Sequence, residues 1–379
     1  MTLRQIIEQE IAEKGPIPFS RYMELCLYHP ELGYYSRNTE QFGKAGDFFT
    51  SSDVHAVFGR LLARQFEEIW RAVGSPKQFE ILELGPGRGL FARDVLDWSQ
   101  KKFPEFLSSL RYSLLEQSSA LQGRLKQNLK THLESGCALL HATTPKIERA
   151  LDSDVPLAVF ANEVFDAIPV EIISSEGKLC ISSKEGRFVE MWIPPSDPEL
   201  KFLEDHSVQP LPRERLEISQ GTLSLMEHIA DKIKTGIFLT LDYGYTRQEQ
   251  QAGRHRGTLK AIRQHSVSAS PYEAPGEQDI TADVNFTALT AVAEQNGLTV
   301  QPLRTQSQFL MGIGEKNQFA DAFEYCRLPQ ERAKVALQLK HLVTPAGMGE
   351  SFHVMLASKG IDPEAVAKLS GLSFGNRNG

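Results

Sequence analysis

The sequence has little that would staple, anchor or metallate it. Its four cysteines, Cys26, Cys137, Cys180 and Cys326, stand far apart in 379 residues and form no CxxC pair, so the expectation is four reduced thiols with neither a disulfide framework nor a cysteine-held zinc. The ten histidines show neither HExxH nor HxxxH spacing, and no metal site is expected. A GxSxG elbow and a P-loop are both missing, which removes the hydrolases and nucleotide hydrolases built on them. No apolar run approaches the roughly 18 residues that cross a bilayer. The stretch Met1 to Glu10 lacks a signal peptide's apolar core and is not acid-poor like a transit peptide, so the expected location is a bacterial-type cytoplasm. A net charge of −7 gives no whole-molecule attraction to nucleic acid or anionic lipid.

What is present is concentrated in one stretch. Phe79 to Leu84 reads as a buried strand, Gly85, Gly87 and Gly89 form a GxGxG loop, and Phe91 to Trp98 reads as a helix. Glycines there let the backbone turn sharply and approach a ligand with no Cβ in the way, the economy of a nucleotide-type cofactor site. A second strand, Arg111 to Glu116, ends on a carboxylate suited to ribose hydroxyls, 31 positions after Gly85. A dinucleotide fingerprint runs GxGxxG with its acidic residue about 20 positions on. Both departures, and Glu83 just ahead of the loop, favour S-adenosylmethionine over NAD. No histidine-centred acid–base pair is evident that would serve a dehydrogenase.

Strand and helix then alternate: 80–84, 91–98, 111–116, 118–134, 137–141 and 157–161, which signals parallel βαβ units. Residues 170–192 read instead as antiparallel strands turning at Glu176-Gly177 and Glu185-Gly186, followed by a proline-rich connector over 193–198. The sheet resumes at Gly236 to Asp242, a polar insertion covers about 244–282, and the chain closes with a helix near 286–297, a strand near 298–306, a helical stretch near 316–341 and a strand over 352–357. The expected fold is α/β: a doubly wound, mostly parallel seven-strand sheet in residues 76–379, with insertions near 170–235 and 244–282. Residues 1–75 are expected to form an N-terminal helical extension and lid. Ligands of such sheets bind at the carboxyl ends of the strands.

Three loops at strand ends carry candidate chemistry. Asn162, Glu163 and Asp166 directly follow the strand ending at Ala161, and two carboxylates there could hold a guanidinium bidentately and offset charge as its proton leaves. Asp166 could equally cap a short helix, with Glu163 solvated. Asp242 and Tyr243 close another strand and are candidate acceptor-binding residues, or an ordinary turn before Gly244. The loop Gly43 to Ser52, with Thr50 and Ser51, could lie across a cofactor. Pro275 to Phe286 reads as a turn and helix cap whose Asp279 and Thr281 could line the cleft. Arg247, Arg254, His255, Arg256, Lys260 and Arg263 make the second insertion basic, which is more often a solvated face than a nucleic-acid site.

The string Tyr22 to Tyr35, the Gly46 to Phe58 segment, Glu83 to Gly89, Ala161 to Val170, Asp242 to Gly244, Gly257 to Leu259 and Pro275 to Phe286 together resemble the MidA family, in order and over most of the chain. The resemblance implies a Rossmann-like class I S-adenosylmethionine-dependent methyltransferase, and the family includes the mitochondrial enzyme that assists assembly of respiratory complex I by methylating an arginine of a core subunit. It implies that Gly85, Gly87 and Gly89 contact the cofactor, that Glu116 holds its ribose and that Asn162 and Glu163 face the acceptor. The expected partner is a protein substrate, a complex I-type subunit among the candidates, and a homodimer is open. A non-catalytic assembly factor that keeps the fold is the alternative.

Overall fold

The computed structural model describes residues 1–37, 56–141, 154–263, 266–268 and 270–374. Thr50, Ser51 and the remainder of the expected lid loop from Gly43 to Ser52 lie outside the described residues. The chain divides into two compact units. One comprises Phe49–Asn162, His228–Asp242 and Ala293–Gly379, and the other Met1–Phe48, Glu163–Glu227 and Tyr243–Val292. The former holds the main sheet and is called the sheet unit; the latter, the insertion unit, joins the N-terminal helices to both expected insertions.

In the sheet unit seven strands run in the order Thr299–Val300, Phe352–Lys359, Gly236–Tyr245, Leu157–Asn162, Phe79–Leu84, Leu110–Leu115 and Ala138–His141. The last five pair in parallel, while Thr299–Val300 runs antiparallel to Phe352–Lys359. Leu84 lies level with both Leu115 and Ala161. The chain moves outward from Phe79–Leu84 through two strands and then returns to its other side, so the order reverses between Phe79–Leu84 and Leu157–Asn162. Such a reversal opens a crevice at the carboxyl ends. The glycine loop and Asn162 both stand there.

All six residues of Phe79–Leu84 are buried, as in a strand covered on both faces. The cover includes the helices Val57–Ala72 and Leu90–Lys102. Phe91 stacks on Phe160 at 4.5 Å, and Phe66 meets Phe160 edge-on at 5.5 Å. Each buried ring contributes roughly 1.5–3 kcal/mol of transfer free energy. Glu80 and Glu83 are tolerated in the strand because its neighbour answers them: Ser113 Oγ donates to Glu80 at 2.6 Å, Arg111 pairs with Glu80, and Tyr112 Oη donates to Glu83 at 2.9 Å.

In the insertion unit the helices Leu3–Lys14 and Phe19–Tyr28 share a core with an antiparallel sheet, through Ile7, Ile11, Phe19, Tyr22, Ile172, Leu179 and Ile181. That sheet pairs Ile17–Pro18 with Gly177–Lys184, which lies between Glu171–Ser174 and Arg187–Ile193. The turns fall at the expected Glu176 and Glu185-Gly186 positions. Lys260–Arg263 forms a smaller sheet with Asp279–Thr281.

Several elements differ from expectation for local reasons. The proline-rich connector opens the helix Asp197–His206, because Ser196 and Glu199 form a capping box and Pro198 falls in the first turn. The strand expected at 298–306 breaks into Thr299–Val300 and Arg304–Thr305, around Pro302, which has no N–H to donate. Thr305 then caps Gln306–Glu315, so the last helical stretch starts earlier and is split into Gln306–Glu315, Ala320–Phe323 and Pro329–Val343. The helix Phe19–Tyr28 takes in the first residues of the Tyr22 to Tyr35 string.

Candidate functional site

Gly85, Gly87 and Gly89 all have left-handed backbone, with φ of 60°, 54° and 73°. Three such residues in five are tolerable only without side chains. A Cβ on Gly89 would stand 2.9 Å from Leu129 Cδ1 and 3.1 Å from Leu125 Cγ. The loop is tied down from both sides. Gly85 N–H donates to Leu115 O at 3.0 Å, Asn128 Nδ2 to Arg88 O at 2.8 Å, and Gly87 N–H to Glu116 Oε2 at 3.1 Å. Gly89 then precedes the helix Leu90–Lys102, whose first N–H groups have no partner within the helix.

Glu116 stands at the end of its strand, buried, with Oε1 accepting Ser118 N–H at 2.8 Å. Burial raises its carboxyl to about 7, against the lowering effect of hydrogen bonds from Ser118, Gly87 and Gln117. Burial likewise raises Glu83 to about 8; the Tyr112 hydroxyl opposes the rise and the nearby Glu116 adds to it. Two buried carboxyls poised near neutrality, next to glycine backbone that ligand atoms can approach, fit S-adenosylmethionine. Glu116 would take the ribose hydroxyls, and the glycines, whose own N–H groups are donated to Leu115 O, Glu116 Oε2 and Pro86 O, would let the cofactor pass close to the backbone above Glu83. Tyr112 was not singled out in the sequence, although its position one residue after Arg111 on the neighbouring strand was the available signal.

The acceptor candidates divide between the units. Asn162 ends its strand opposite Leu241, and the following Asp242 is fully buried. In the insertion unit, Glu163 is half-buried with φ of 53°, a conformation that disfavours a residue with a side chain. Asp166 is buried, and its carbonyl accepts Ala282 N–H at 2.9 Å. Tyr243 is half-buried, with Lys260 Nζ 5.6 Å from its ring centre.

A histidine–carboxylate pair is present after all. His255 Nδ1 lies 3.1 Å from Asp283 Oδ2, and the imidazole stacks on buried Tyr245 at 5.5 Å. The partners come from segments 28 positions apart, which hid the pair from a search by spacing. Lys260 adds a bond to Asp283 at 3.3 Å and holds its carboxyl, with His255, below the usual range despite burial. The basic run is answered throughout: Arg247 donates to the carbonyls of Glu204 and Asp205, Arg254 pairs with Glu249, Arg256 with Glu214, and Arg263 with Glu277. Among the described residues no three or more His, Cys, Asp or Glu side chains group as metal ligands, and no helix is long and apolar enough to cross a membrane.

A parallel sheet with this strand reversal, a triple-glycine loop and an acidic end to the next strand define an S-adenosylmethionine-binding α/β protein. The family described as "Putative S-adenosyl-L-methionine-dependent methyltransferase" matches residues 61–303. The chain belongs to that family, and it is an S-adenosylmethionine-dependent methyltransferase by fold and cofactor. A COG1565 superfamily member from Burkholderia thailandensis, crystallised with S-adenosyl-homocysteine, superposes with a TM-score of 0.80 at 26% identity, covering 97% of this chain and 94% of that one. Among curated relatives, the mitochondrial protein arginine methyltransferase NDUFAF7 homolog of Drosophila melanogaster is 28% identical over 95% of this chain and 85% of its own length. Protein arginine methyltransferase NDUFAF7 of Danio rerio, also mitochondrial, is 29% identical over 91% and 84%. The expected cytoplasmic location gains no support from relatives with mitochondrial names. The NAD-dependent reading is set aside.

Proposed function

We propose that this protein methylates an arginine side chain of a protein substrate, with Glu163 and Asp166 as the groups that hold the guanidinium. The observation that carries the reading is the loop after Asn162. It leaves the strand beside the order reversal, turns through a strained left-handed Glu163 and presents a second, buried carboxylate three residues later. Backbone strain of about 1–3 kcal/mol at a residue with a side chain persists where the surroundings enforce it, and functional loops are where it gathers. The names of the curated relatives support the same choice of acceptor, and a complex I-type subunit is the expected protein.

S-adenosylmethionine supplies an electrophilic methyl group on a sulfonium. The protein's share is alignment and charge. Two carboxylates gripping one guanidinium fix the direction of its third nitrogen. The methyl would pass from sulfur to nitrogen, the S–CH3 bond breaking to leave neutral S-adenosyl-homocysteine as the N–CH3 bond forms; that nitrogen sheds a proton, and a carboxylate oxygen of Glu163 is the acceptor we assign. Asn162, Asp242 and Tyr243 orient the arginine, while Glu83, Gly85, Gly87, Gly89 and Glu116 hold the cofactor.

Transfer of tritium from methyl-labelled S-adenosylmethionine into a protein extract, with mass spectrometry for methylarginine, tests this. Glu163→Gln is expected to cut labelling by about a hundredfold or more while S-adenosyl-homocysteine binding stays within about twofold. Full labelling by that variant would remove the carboxylate from the mechanism. Labelling of residues other than arginine would change the substrate class.

A further inference from the structure

We propose that Tyr28 and Tyr35 are positioning residues of the acceptor loop, holding Asp166 in place through their hydroxyls. The inference rests on the reading of Asp166 as a guanidinium-binding carboxylate, and every group involved belongs to the insertion unit.

Two successive carbonyls of the loop are pinned by distant segments. Tyr28 Oη donates to Ala167 O at 2.9 Å, and Ala282 N–H donates to Asp166 O at 2.9 Å. The peptide plane that follows Asp166 and the next one are thereby fixed, which restrains the Asp166 Cα from which its side chain departs. Ala282 is itself anchored, because it directly follows the Asp279–Thr281 strand. Tyr35 Oη donates to Asp279 Oδ1 of that strand at 2.9 Å, and Asp279 is 2% exposed.

The two tyrosines act as one body. Their ring centres are 5.6 Å apart, and buried Tyr34 meets Tyr35 edge-on at 5.2 Å. The chain between them has little freedom. His29 Nδ1 accepts the N–H groups of Glu31 and Leu32 at 3.3 Å each, and a Cβ on Gly33 would overlap the His29 backbone. Arg37 Nη1 donates to Gly276 O at 3.1 Å, and a Cβ on Gly276, whose φ is 78°, would overlap Leu32 O. The segments Tyr28 to Tyr35 and Pro275 to Ala282 thus close on the loop that carries Asp166.

The electrostatics agree. The Tyr35 hydroxyl is held well above its ordinary range, first by burial and then by Asp279, Tyr28 and Asp166. Asp166 and Asp279 therefore both lie near one hydroxyl. A neutral donor bound to one carboxylate lowers the repulsion that two buried carboxylates would otherwise exert on each other.

The test uses the full chain and three variants that each delete one hydroxyl: Tyr28→Phe, Tyr35→Phe and, as control, Tyr22→Phe, whose hydroxyl donates to Pro271 O at 2.8 Å in the same unit. Amide exchange is followed over residues 163–170, and calorimetry measures S-adenosyl-homocysteine and then butylguanidinium on the protein saturated with it. Tyr28→Phe is expected to speed exchange over 163–170 about tenfold, with Tyr22→Phe leaving that segment unchanged. Tyr28→Phe and Tyr35→Phe are both expected to weaken butylguanidinium binding at least about fivefold, with S-adenosyl-homocysteine affinity within about twofold. Unchanged exchange, an equal effect from the control, or a loosened loop with unaltered guanidinium affinity would each overturn the positioning role. If the unsubstituted protein binds S-adenosyl-homocysteine but no butylguanidinium, the arginine reading fails, and the exchange comparison alone upholds or sinks the hold on the loop.

Discussion

The parallel strands of the sheet unit bury carboxylates in a different way from the insertion unit. In the sheet unit, Glu80 and Glu83 are answered from the adjacent strand by Ser113 and Tyr112, and Glu116 by backbone N–H groups of the neighbouring loop and its own turn. Off those strands the partners come from farther along the chain: in the sheet unit Glu68 accepts Ser370 N–H across 302 positions and Asp321 accepts from Arg64 across 257, and in the insertion unit Glu217 and Asp279 are answered in the same way. Glu217 accepts Thr258 N–H and Oγ1 at 3.0 Å each and Leu259 N–H at 3.2 Å, 41 and 42 positions away, and Asp279 is answered by Tyr35 across 244 positions. Regular βαβ geometry supplies partners at predictable places. Contacts between distant segments do not.

The largest effect that would sharpen this contrast is at the glycine loop. Gly87→Val puts a β-branched residue at a φ of 54°, which costs on the order of 1–3 kcal/mol of strain and adds bulk to the face offered to the cofactor. S-adenosyl-homocysteine affinity is expected to fall by about a hundredfold or more, with the circular dichroism spectrum retained. Unaltered calorimetric affinity would mean that the cofactor lies elsewhere. For the insertion unit the equivalent probe is Glu217→Ala, which strands two N–H groups and a hydroxyl in the interior. A loss of about 2–3 kcal/mol in urea unfolding is expected. A loss below about 0.5 kcal/mol would show that this carboxylate does not tie its strand to the Thr258 turn.

The carboxyls of the sheet unit also predict a pH dependence. Glu83 is raised to about 8 in the folded protein and Glu116 to about 7, from ordinary values of 4.5. Raised folded values mean that the native state binds more protons than the unfolded chain across that interval. Their contribution to stability is complete below about pH 4.5 and is lost as pH rises through 7 and 8. Glu83→Gln, a mimic of the neutral acid, is expected to match the parent at pH 4.5 and to exceed it at pH 8.5 by at least about 2 kcal/mol, the full rise in the Glu83 carboxyl corresponding to roughly 4–5 kcal/mol. Equal stability of the two at both pH values would show that Glu83 ionises without penalty.

Legibility in the sequence follows the same division. The strand, glycine loop and helix from Phe79 to Trp98 were readable because burial on both faces, left-handed turns and amphipathic periodicity each leave a local mark. The hairpin turns at Glu176 and Glu185 were readable for the same reason. The helix Asp197–His206 was hidden by prolines that read as a connector although one sits in a tolerated first turn. His255–Asp283 and Tyr35–Asp279 left no local trace, because what defines them is the meeting of distant segments. Glu163 and Asp166 were visible as carboxylates after a strand, but the left-handed backbone of Glu163 was not.

The smallest expected effect concerns the basic run of the insertion unit, where sequence and structure pull apart most. Six cationic or imidazole side chains between Arg247 and Arg263 resemble a binding surface until their partners are counted in. Arg256 and Arg263 each meet a glutamate, Lys260 and His255 share Asp283, and Arg247 is spent on two backbone carbonyls. Arg254 is the most exposed of the paired arginines in that run, with 64% of its side chain accessible and Glu249 at 3.4 Å. Exposed pairs of this kind are worth about 0–1 kcal/mol. Arg254→Ala is therefore expected to shift unfolding by less than about 0.5 kcal/mol and to leave the protein's retention on a heparin column unchanged. Earlier elution would show that the cations act together as a field despite their partners, since polyanion affinity falls with each unneutralised charge removed.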